Sequence, residues 1–150
     1  MGKKGISLVF FFVTFQFSQI VMAVPPEDVV KYRQGILFGI GWNVGAMGAM
    51  VKGDMPFDRD QFLFFAKRTA ALTPMVLEGF KPETKGVKSY TKPETWENLV
   101  DFESRMSRLL EETEKLVEVA KNGEEVEIKK QFGKTAQQCK GCHDNYKKKS

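Results

Sequence analysis

Two cysteines and a histidine stand close together near the end of the chain, in the run Cys139-Lys140-Gly141-Cys142-His143. The spacing C-x-x-C-H is typical of polypeptides that attach haem covalently. On a helix the two thiols lie one turn apart on one face, so each can form a thioether with one vinyl group of the porphyrin. His143 shares that face with Cys139 and can ligate the iron. The motif predicts one haem c, attached through two thioethers, with His143 as its metal ligand.

The same side chains could instead form a dithiol redox centre or part of a zinc site. A dithiol centre favours the N-terminus of a helix, usually after a strand, because the helix dipole lowers a thiol pKa there. Here the pair lies near the end of a predicted helix. A zinc site would need a fourth ligand besides Cys139, Cys142 and His143, and Asp144 points to a different face. Since the chain has only two cysteines and one histidine, all three chemistries compete for one place, and haem is favoured.

Residues 1–23 have the pattern of a secretory signal peptide. Two lysines near the start precede a mostly apolar run over residues 6–15, and small residues form a cleavage site before Val24. A retained membrane anchor is the alternative, but the run is short for a span of about 20 residues. We therefore expect cleavage, export to the periplasm, and a mature chain of residues 24–150 that forms one domain without a membrane span.

The composition of the mature chain agrees with covalent haem. Exported cysteines usually form disulfides, but a disulfide between residues three positions apart would close only a trivial loop. Two of the 23 lysine and arginine residues fall in the leader, which leaves 21 against 19 acidic residues and a net charge of +2. Two ionised haem propionates would bring that charge to about zero. The chain lacks a basic stripe with interleaved aromatic residues, so nucleic acid is not expected as a partner.

Helical periodicity runs through the mature chain, without convincing strand alternation. The first predicted helix begins at Pro26 and stops at Gly53. Its stripe consists of Val30, Arg33, Leu37, Ile40, Val44, Met47 and Val51. The second helix begins at Asp58, which forms a capping box with Gln61, and is broken or kinked at Pro74.

A long connection over residues 73–92 precedes the other two predicted helices. Thr91 and Glu94 form the predicted capping box of the third helix, which ends at Asn122 and Gly123. Its inner face consists of Trp96, Leu99, Met106, Leu110, Thr113, Val117 and Ala120. The face of the fourth helix consists of Ile128, Phe132, Thr135, Cys139, Cys142 and Tyr146. Four such helices predict an all-α fold, an antiparallel four-helix bundle with the haem motif facing its core.

The first predicted helix carries two features that a plain core helix would avoid. Arg33 interrupts its apolar stripe, and either reaches out to the edge of the bundle or pairs with a haem propionate or a polar ligand. The helix also contains five glycines, each of which costs up to about 1 kcal/mol in a helix interior. A flat macrocycle or a second helix packed closely on this face would recover that free energy.

Three segments together resemble the cytochromes c′, the class II cytochromes c. They are residues 27–34 (EDVVKYRQ) in the first predicted helix, 51–58 (VKGDMPFD) at the first turn and 139–146 (CKGCHDNY) at the end. The resemblance covers nearly all of residues 24–150. It implies a four-helix bundle with haem c bound through Cys139 and Cys142, and with His143 as the proximal ligand.

The resemblance also implies roles around the haem. The family's distal position lies four residues beyond the matching arginine, Arg33, and is Leu37 here. An aliphatic side chain cannot coordinate iron, so the sixth site would stay open in a dry, crowded pocket. Phe80 resembles an aromatic residue that lines the haem surroundings in relatives. Many relatives have arginine directly after the tyrosine that follows the haem histidine, whereas Tyr146 is followed here by Lys147, which lacks the guanidinium fork.

An open iron behind Leu37 predicts a protein that binds small diatomic gases, nitric oxide or carbon monoxide, rather than an enzyme. Bound oxygen gains from a hydrogen-bond donor, which Leu37 lacks. Nitric oxide would be sequestered or carried at the distal haem face. The alternative is a six-coordinate periplasmic electron-transfer cytochrome, with methionine or lysine as the sixth ligand. The resemblance also implies a homodimer, and the redox partner stays unidentified.

Overall fold

The computed structural model describes residues 24–149, so the predicted leader lies outside the described residues. The elements in chain order are α1 (Pro26–Lys52), α2 (Arg59–Leu72), a long 3-10 helix (Thr73–Gly79), a short 3-10 helix (Pro82–Thr84), α3 (Glu94–Glu97), α4 (Leu99–Asn122) and α5 (Glu125–Tyr146). This part of the chain contains no β-strand, only an isolated bridge between Thr91 and Lys147. None of its helices has the length and apolar character needed to span a bilayer.

The four long helices form the antiparallel bundle that the sequence predicts. α1 packs against α2, α2 against α4, and α4 against α5, while α1 and α5 touch only sparsely. Short turns join α1 to α2 and α4 to α5, so each of these pairs is antiparallel. Both 3-10 helices pack against α1, because the crossover between α2 and α4 passes over its N-terminal part.

Capping residues set the ends of α1 and the start of α2 where the sequence predicts them. Pro26 opens α1, with two acidic residues in the first turn that interact favourably with the helix dipole. Gly53 ends α1 in the left-handed conformation, at φ 82°, and its N–H bonds to carbonyls of the last turn. The Asp58 side chain accepts a hydrogen bond from the Gln61 N–H at 2.9 Å and so caps α2.

The third predicted helix starts differently. The sequence predicts a capping box from Thr91 to Glu94, but the residue before α3 is Pro93 and no side chain caps this helix. The prediction is wrong because the Thr91 hydroxyl accepts a hydrogen bond from Arg33 at 3.2 Å, and its backbone pairs with Lys147. α3 then lasts only four residues before the chain breaks and α4 begins.

The predicted connection over residues 73–92 is partly helical. The chain leaves α2 directly into the long 3-10 helix, which has Pro74 in its first turn. Proline lacks the N–H that would continue an α-helix, so the tighter helix takes over at the predicted kink. The Thr73 hydroxyl also donates to the Thr69 carbonyl at 2.8 Å, which ties the two helices together.

Two apolar clusters fill the bundle, one toward each end. The first cluster consists of Met47, Met50, Phe62, Ala66, Leu116, Ala120, Ile128 and Phe132. The second cluster consists of Ile40, Val76, Phe102, Met106, Leu109 and Tyr146. Cys139, Cys142 and Phe80 are partly buried against the second cluster. That end of the bundle is therefore the one that holds the C-x-x-C-H motif.

The buried faces of α1 and α4 differ from the predicted stripes. On α1, Asn43 and Met50 are buried, whereas Leu37 is 38% exposed. The buried face of α1 includes the half-buried Ile36 instead, which places Leu37 at its edge. The buried residues of α4 are Phe102, Met106, Leu109, Thr113, Leu116 and Ala120. The predicted stripe is counted from Trp96, which lies in α3. Because the chain breaks between α3 and α4, the three- and four-residue spacing from Trp96 does not continue into α4.

Candidate haem site

The two cysteines lie on the inward face of α5. Thr135 and Tyr146 are buried on this helix as predicted, and Cys139 and Cys142 lie between them as half-buried free thiols. His143 follows directly and is exposed. Two thiols one helical turn apart, with an imidazole beside them, therefore border the second cluster.

Burial tunes these three side chains. It raises the pKa of both thiols. The pKa of Cys142 rises to about 11, although the nearby positive charge of Arg105 acts in the opposite direction. Such thiols stay protonated near neutral pH, unlike the low-pKa cysteine of a dithiol redox centre. Desolvation by the surrounding protein, and then the charge of Lys147, lowers the pKa of His143 even though the residue reaches solvent. The neutral imidazole, which is the form that binds a metal, is thereby favoured.

Arg33 is 1% exposed and holds the crossover against α1. One terminal nitrogen donates to the Gly79 carbonyl and to the Thr84 hydroxyl, both at 2.9 Å. The other donates to the hydroxyls of Ser89 at 3.1 Å and Thr91 at 3.2 Å. Of the two possibilities that the sequence leaves open, reaching out to the bundle edge is thus wrong.

The Arg33 charge has only neutral oxygen partners among the described residues. Burial lowers its pKa, but arginine remains protonated at neutral pH. The guanidinium carbon lies 4.7 Å from the ring centroid of Phe80 and 5.8 Å from that of Trp96. Phe80 in turn contacts Phe102, with ring centroids 4.6 Å apart. This stack connects a buried cation to the cluster that surrounds the cysteines.

Gly79 provides the space that Arg33 needs. A Cβ atom built at Gly79 would lie 2.3 Å from the Arg33 Cβ and 3.2 Å from its Cα, and neither atom can swing away. We therefore expect Gly79→Ala to lower the free energy of unfolding by about 2–3 kcal/mol, because the crossover must move off α1. Guanidinium unfolding of the haem-loaded protein, followed by circular dichroism, measures the change.

Gly133→Ala is the matched control for that substitution. Nothing lies within 4 Å of a Cβ atom built at Gly133, which lies inside α5. Alanine there should raise the free energy of unfolding by up to about 1 kcal/mol through helix propensity alone. Equal unfolding midpoints for Gly79→Ala and the unmodified protein would contradict the tight contact with Arg33.

Leu37 lies one helical turn beyond Arg33 and one turn before Ile40, which is buried in the second cluster. Its side chain carries no donor or acceptor, and the structure places it at the edge of the buried face. The structure thus brings Arg33, Phe80 and the two cysteines around one cluster. It leaves Leu37 and His143 at the border of that cluster.

These residues fit a covalently attached haem. The donor set is two thiols and a neutral imidazole, the neighbouring cluster is apolar, and the buried Arg33 has no carboxylate partner in the described chain. A cation in that position suits the propionates of a porphyrin. Within residues 24–149, no three His, Cys, Asp or Glu side chains group as a protein-only metal site.

Comparison with known proteins decides the family. The family model described as cytochrome c′ matches residues 28–147. The chain belongs to the cytochrome c′ family. Cytochrome c′ of Halomonas halodenitrificans is 34% identical over 128 residues, which is 81% of this chain and 97% of that protein.

Solved structures of cytochromes c′ show the same bundle. The Shewanella frigidimarina protein superposes with a TM-score of 0.80 and 37% identity, over 83% of this chain and 97% of that one. A ferrous arginine-to-lysine variant from Alcaligenes xylosoxidans, with bound nitric oxide, superposes with a TM-score of 0.78 and 32% identity, over 85% and 99% of the two chains.

As a member of this family, the present chain carries one haem c, bound covalently through two thioethers. Its two cysteines are Cys139 and Cys142.

A polar network beside the motif of this cytochrome c′ was missed from sequence. The Tyr146 hydroxyl donates to the Asp101 carboxylate, and Arg105 donates to the same carboxylate at 2.6 Å. A terminal nitrogen of Arg105 also approaches the Gly141 carbonyl at 3.4 Å. The spacing of Asp101 and Arg105 predicts an ion pair on one helix. The contact across to α5 has no such local signal.

Proposed function

We propose that this cytochrome c′ binds nitric oxide at a ferrous, five-coordinate iron and sequesters or carries it, and that carbon monoxide binds at the same place. Cytochromes c′ of known structure support this. They include nitric oxide complexes of an arginine-to-lysine variant and of a leucine-to-alanine variant of the Alcaligenes xylosoxidans protein. On this proposal the chain is a binding protein rather than an enzyme.

Each residue around the second cluster would have a separate role in binding the cofactor. Haem supplies an iron that can take up a small ligand. Cys139 and Cys142 would hold the porphyrin through two thioethers, and His143 would ligate the iron. Arg33 would neutralise a propionate from its buried position, and Phe80 would pack beside the ring as part of the Arg33 stack.

The observation that carries the proposal is the position of the potential iron ligands on α1. One turn beyond Arg33 lies Leu37, which cannot coordinate iron. The methionines of this helix, Met47 and Met50, are buried in the first cluster, at the end of the bundle away from Cys139. No methionine of α1 thus borders the cysteines, which favours an open sixth position.

The character of Leu37 also decides which ligands are favoured. Nitric oxide and carbon monoxide bind ferrous haem without needing a hydrogen-bond donor, whereas bound oxygen gains from one. The aliphatic Leu37 side chain offers no donor, and if it covers the iron an entering ligand would have to displace it. Small uncharged diatomic molecules are therefore the expected ligands.

Met106 favours the second candidate, a six-coordinate electron-transfer cytochrome. It is 6% exposed and belongs to the same cluster that packs against Cys139 and Cys142. A shift of α4 that brought its sulfur to the iron would close the sixth position. Met106→Leu should therefore leave the spectrum unchanged if the first candidate is right.

Titration of the ferrous protein with nitric oxide tests the proposed function. We expect stoichiometric conversion of the absorption spectrum to that of a nitrosyl complex, with one nitric oxide bound per haem. The ferrous protein should form a carbon monoxide adduct in the same way. A spectrum that does not change at nitric oxide concentrations well above that of the protein would refute the function.

A second copy of the chain is the proposed occupant of the outer face of α1. Phe38 is 73% exposed and Trp42 is 68% exposed, although both are large and apolar. Nothing lies within 4 Å of Cβ atoms built at Gly35, Gly41 or Gly45, so a partner helix can approach the backbone closely. A two-fold axis would pair this face with itself and cover the aromatic side chains.

Replacing both aromatic residues tests the dimer. Phe38→Ser combined with Trp42→Ser should raise the dimer dissociation constant by about 100-fold or more, because buried aromatic side chains dominate such interfaces. Val100→Ser, at an apolar position of α4 that is 83% exposed, should leave it unchanged. Sedimentation velocity at micromolar concentration measures the change, and a monomeric unmodified protein would overturn the proposal.

We also place the mature protein in the periplasm, after removal of residues 1–23. The basic start, the short apolar run and the small residues before Val24 support this. The intact mass of the exported protein should correspond to residues 24–150 plus one haem. A membrane-bound protein that retains the leader would contradict it.

A further inference from the structure

The C-terminal residues are tied to the crossover beside the haem motif. Lys147 forms an antiparallel bridge with Thr91, and backbone hydrogen bonds of 2.8 and 2.9 Å flank the bridge. This pairing brings the segments 85–92 and 140–149 together. We call the surface that they form the lysine surface.

The lysine surface concentrates positive charge. Its two segments contain seven lysines and one acidic residue, Asp144, a net charge of +6. Because the mature chain as a whole has a net charge of +2, the remainder carries −4. Lys140 pairs with Asp144 at 2.5 Å. Among the described residues, no carboxylate forms an ion pair with Lys85, Lys88 or Lys147.

Hydrogen bonds order this surface around an exposed aromatic residue. The Lys148 ammonium donates to the Ser89 carbonyl at 3.2 Å, and the Lys92 ammonium donates to a backbone carbonyl of α5 at 2.9 Å. From the core side, Arg33 donates to the Ser89 hydroxyl. Tyr90 lies among these lysines and is 59% exposed. Tyrosine is enriched at protein interfaces, where its ring supplies contact area, and the charged lysines around it would form the rim.

The lysine surface includes His143, the proposed iron ligand. The Lys147 N–H donates to the His143 carbonyl at 3.1 Å, and Asp144 follows His143 directly in the sequence. A protein that docks on this surface therefore lies beside the motif that holds the haem. Short separation between donor and acceptor is what electron exchange requires.

We propose that the lysine surface docks an acidic protein that donates one electron to the haem iron. One electron leaves the partner, which is oxidised, and reduces ferric iron to ferrous iron, while no bond forms or breaks. The inference rests on the proposed function, because the ferrous iron that takes up nitric oxide needs a source of electrons. Opposite charges on the two surfaces steer the encounter and can raise association rates by about 10- to 1,000-fold.

Reversing three charges on this surface tests the proposal. The variant combines Lys85→Glu, Lys88→Glu and Lys149→Glu, all exposed, and leaves in place the two ammonium groups that bond backbone carbonyls. The probe is a plant-type ferredoxin, an acidic one-electron donor. Calorimetry with the oxidised probe and the ferric haem protein, at about 20 mM ionic strength where charges are weakly screened, should show an affinity at least tenfold lower. Stopped-flow reduction by the reduced probe should slow by a similar factor.

A second variant with the same change in net charge is the control. It combines Lys67→Glu, Lys115→Glu and Lys130→Glu, all exposed and outside the lysine surface. Its affinity and reduction rate should change less than twofold. Equal losses in both variants would show that only net charge matters and would overturn the proposal.

Two further measurements separate the competing outcomes. If phosphatidylglycerol vesicles bind the unmodified protein but not the first variant, while ferredoxin binds both equally, the surface serves a membrane and the proposal is overturned. Chemically reduced samples of all three proteins should bind nitric oxide alike. If none of them binds it, the proposed function fails, while the ferredoxin results still decide where a partner docks.

Discussion

Leu37→Ala is expected to raise the rate constant for carbon monoxide binding to the ferrous protein by about 10- to 100-fold. The leucine side chain lies one turn from Arg33 at the edge of the face that borders the cysteines. If it covers the iron, a ligand must displace it, and removing about 1.4–2.7 kcal/mol of that barrier gives the stated factor. Flash photolysis of the carbon monoxide complex measures the rate directly.

Leu77→Ala is the matched control for the rate measurement. Leu77 is 36% exposed, close to the 38% of Leu37, but lies in the long 3-10 helix. Its truncation removes the same atoms from a similarly exposed site and should change the rate less than twofold. An unchanged rate in Leu37→Ala, or an equal increase in both variants, would show that Leu37 does not cover the iron.

Combined replacement of Cys139 and Cys142 by serine is expected to abolish covalent haem completely. The two thiols are the only cysteines in the chain, and a hydroxyl does not add to a porphyrin vinyl group to give a thioether. Acidified organic solvent should extract all haem from the double variant and none from the unmodified protein. Denaturing mass spectrometry should find the mature chain without added mass.

The single replacements serve as controls for the attachment. Cys139→Ser and Cys142→Ser each keep one thioether, so each should retain haem through denaturation while its absorption bands shift. Since burial raises the pKa of both thiols, neither is poised for dithiol chemistry. An unmodified protein whose mass includes no haem would contradict the account and favour a dithiol or zinc module.

The predictable parts of this molecule depend on residues close together in the chain. Gly53 ends α1 and Asp58 caps α2 because each acts within one helical turn. The stripe of α5 is confirmed for the same reason, since a helix repeats every few residues. The C-x-x-C-H motif is also local, and it predicts the cofactor correctly because no tertiary contact is needed to recognise it.

The parts that sequence could not supply depend on partners far apart in the chain. Arg33 buries its charge by bonding hydroxyls of Ser89 and Thr91, more than 50 residues away. Tyr146 on α5 likewise reaches Asp101 on the neighbouring α4, 45 residues away in the chain. Side chains that meet only after the helices pack leave no periodic signal, so the cap assigned to Thr91 could not be distinguished from its real contact with Arg33.

The coordination of the resting protein tests the central claim most directly. Resonance Raman spectra of the purified protein, recorded in the ferric and ferrous states before any ligand is added, report both spin state and ligand number. We predict five-coordinate, high-spin iron in both states, with only His143 bound on the protein side. A low-spin spectrum accompanied by a methionine-to-iron charge-transfer band would show that a side chain fills the sixth position, and would contradict the proposed gas-binding site.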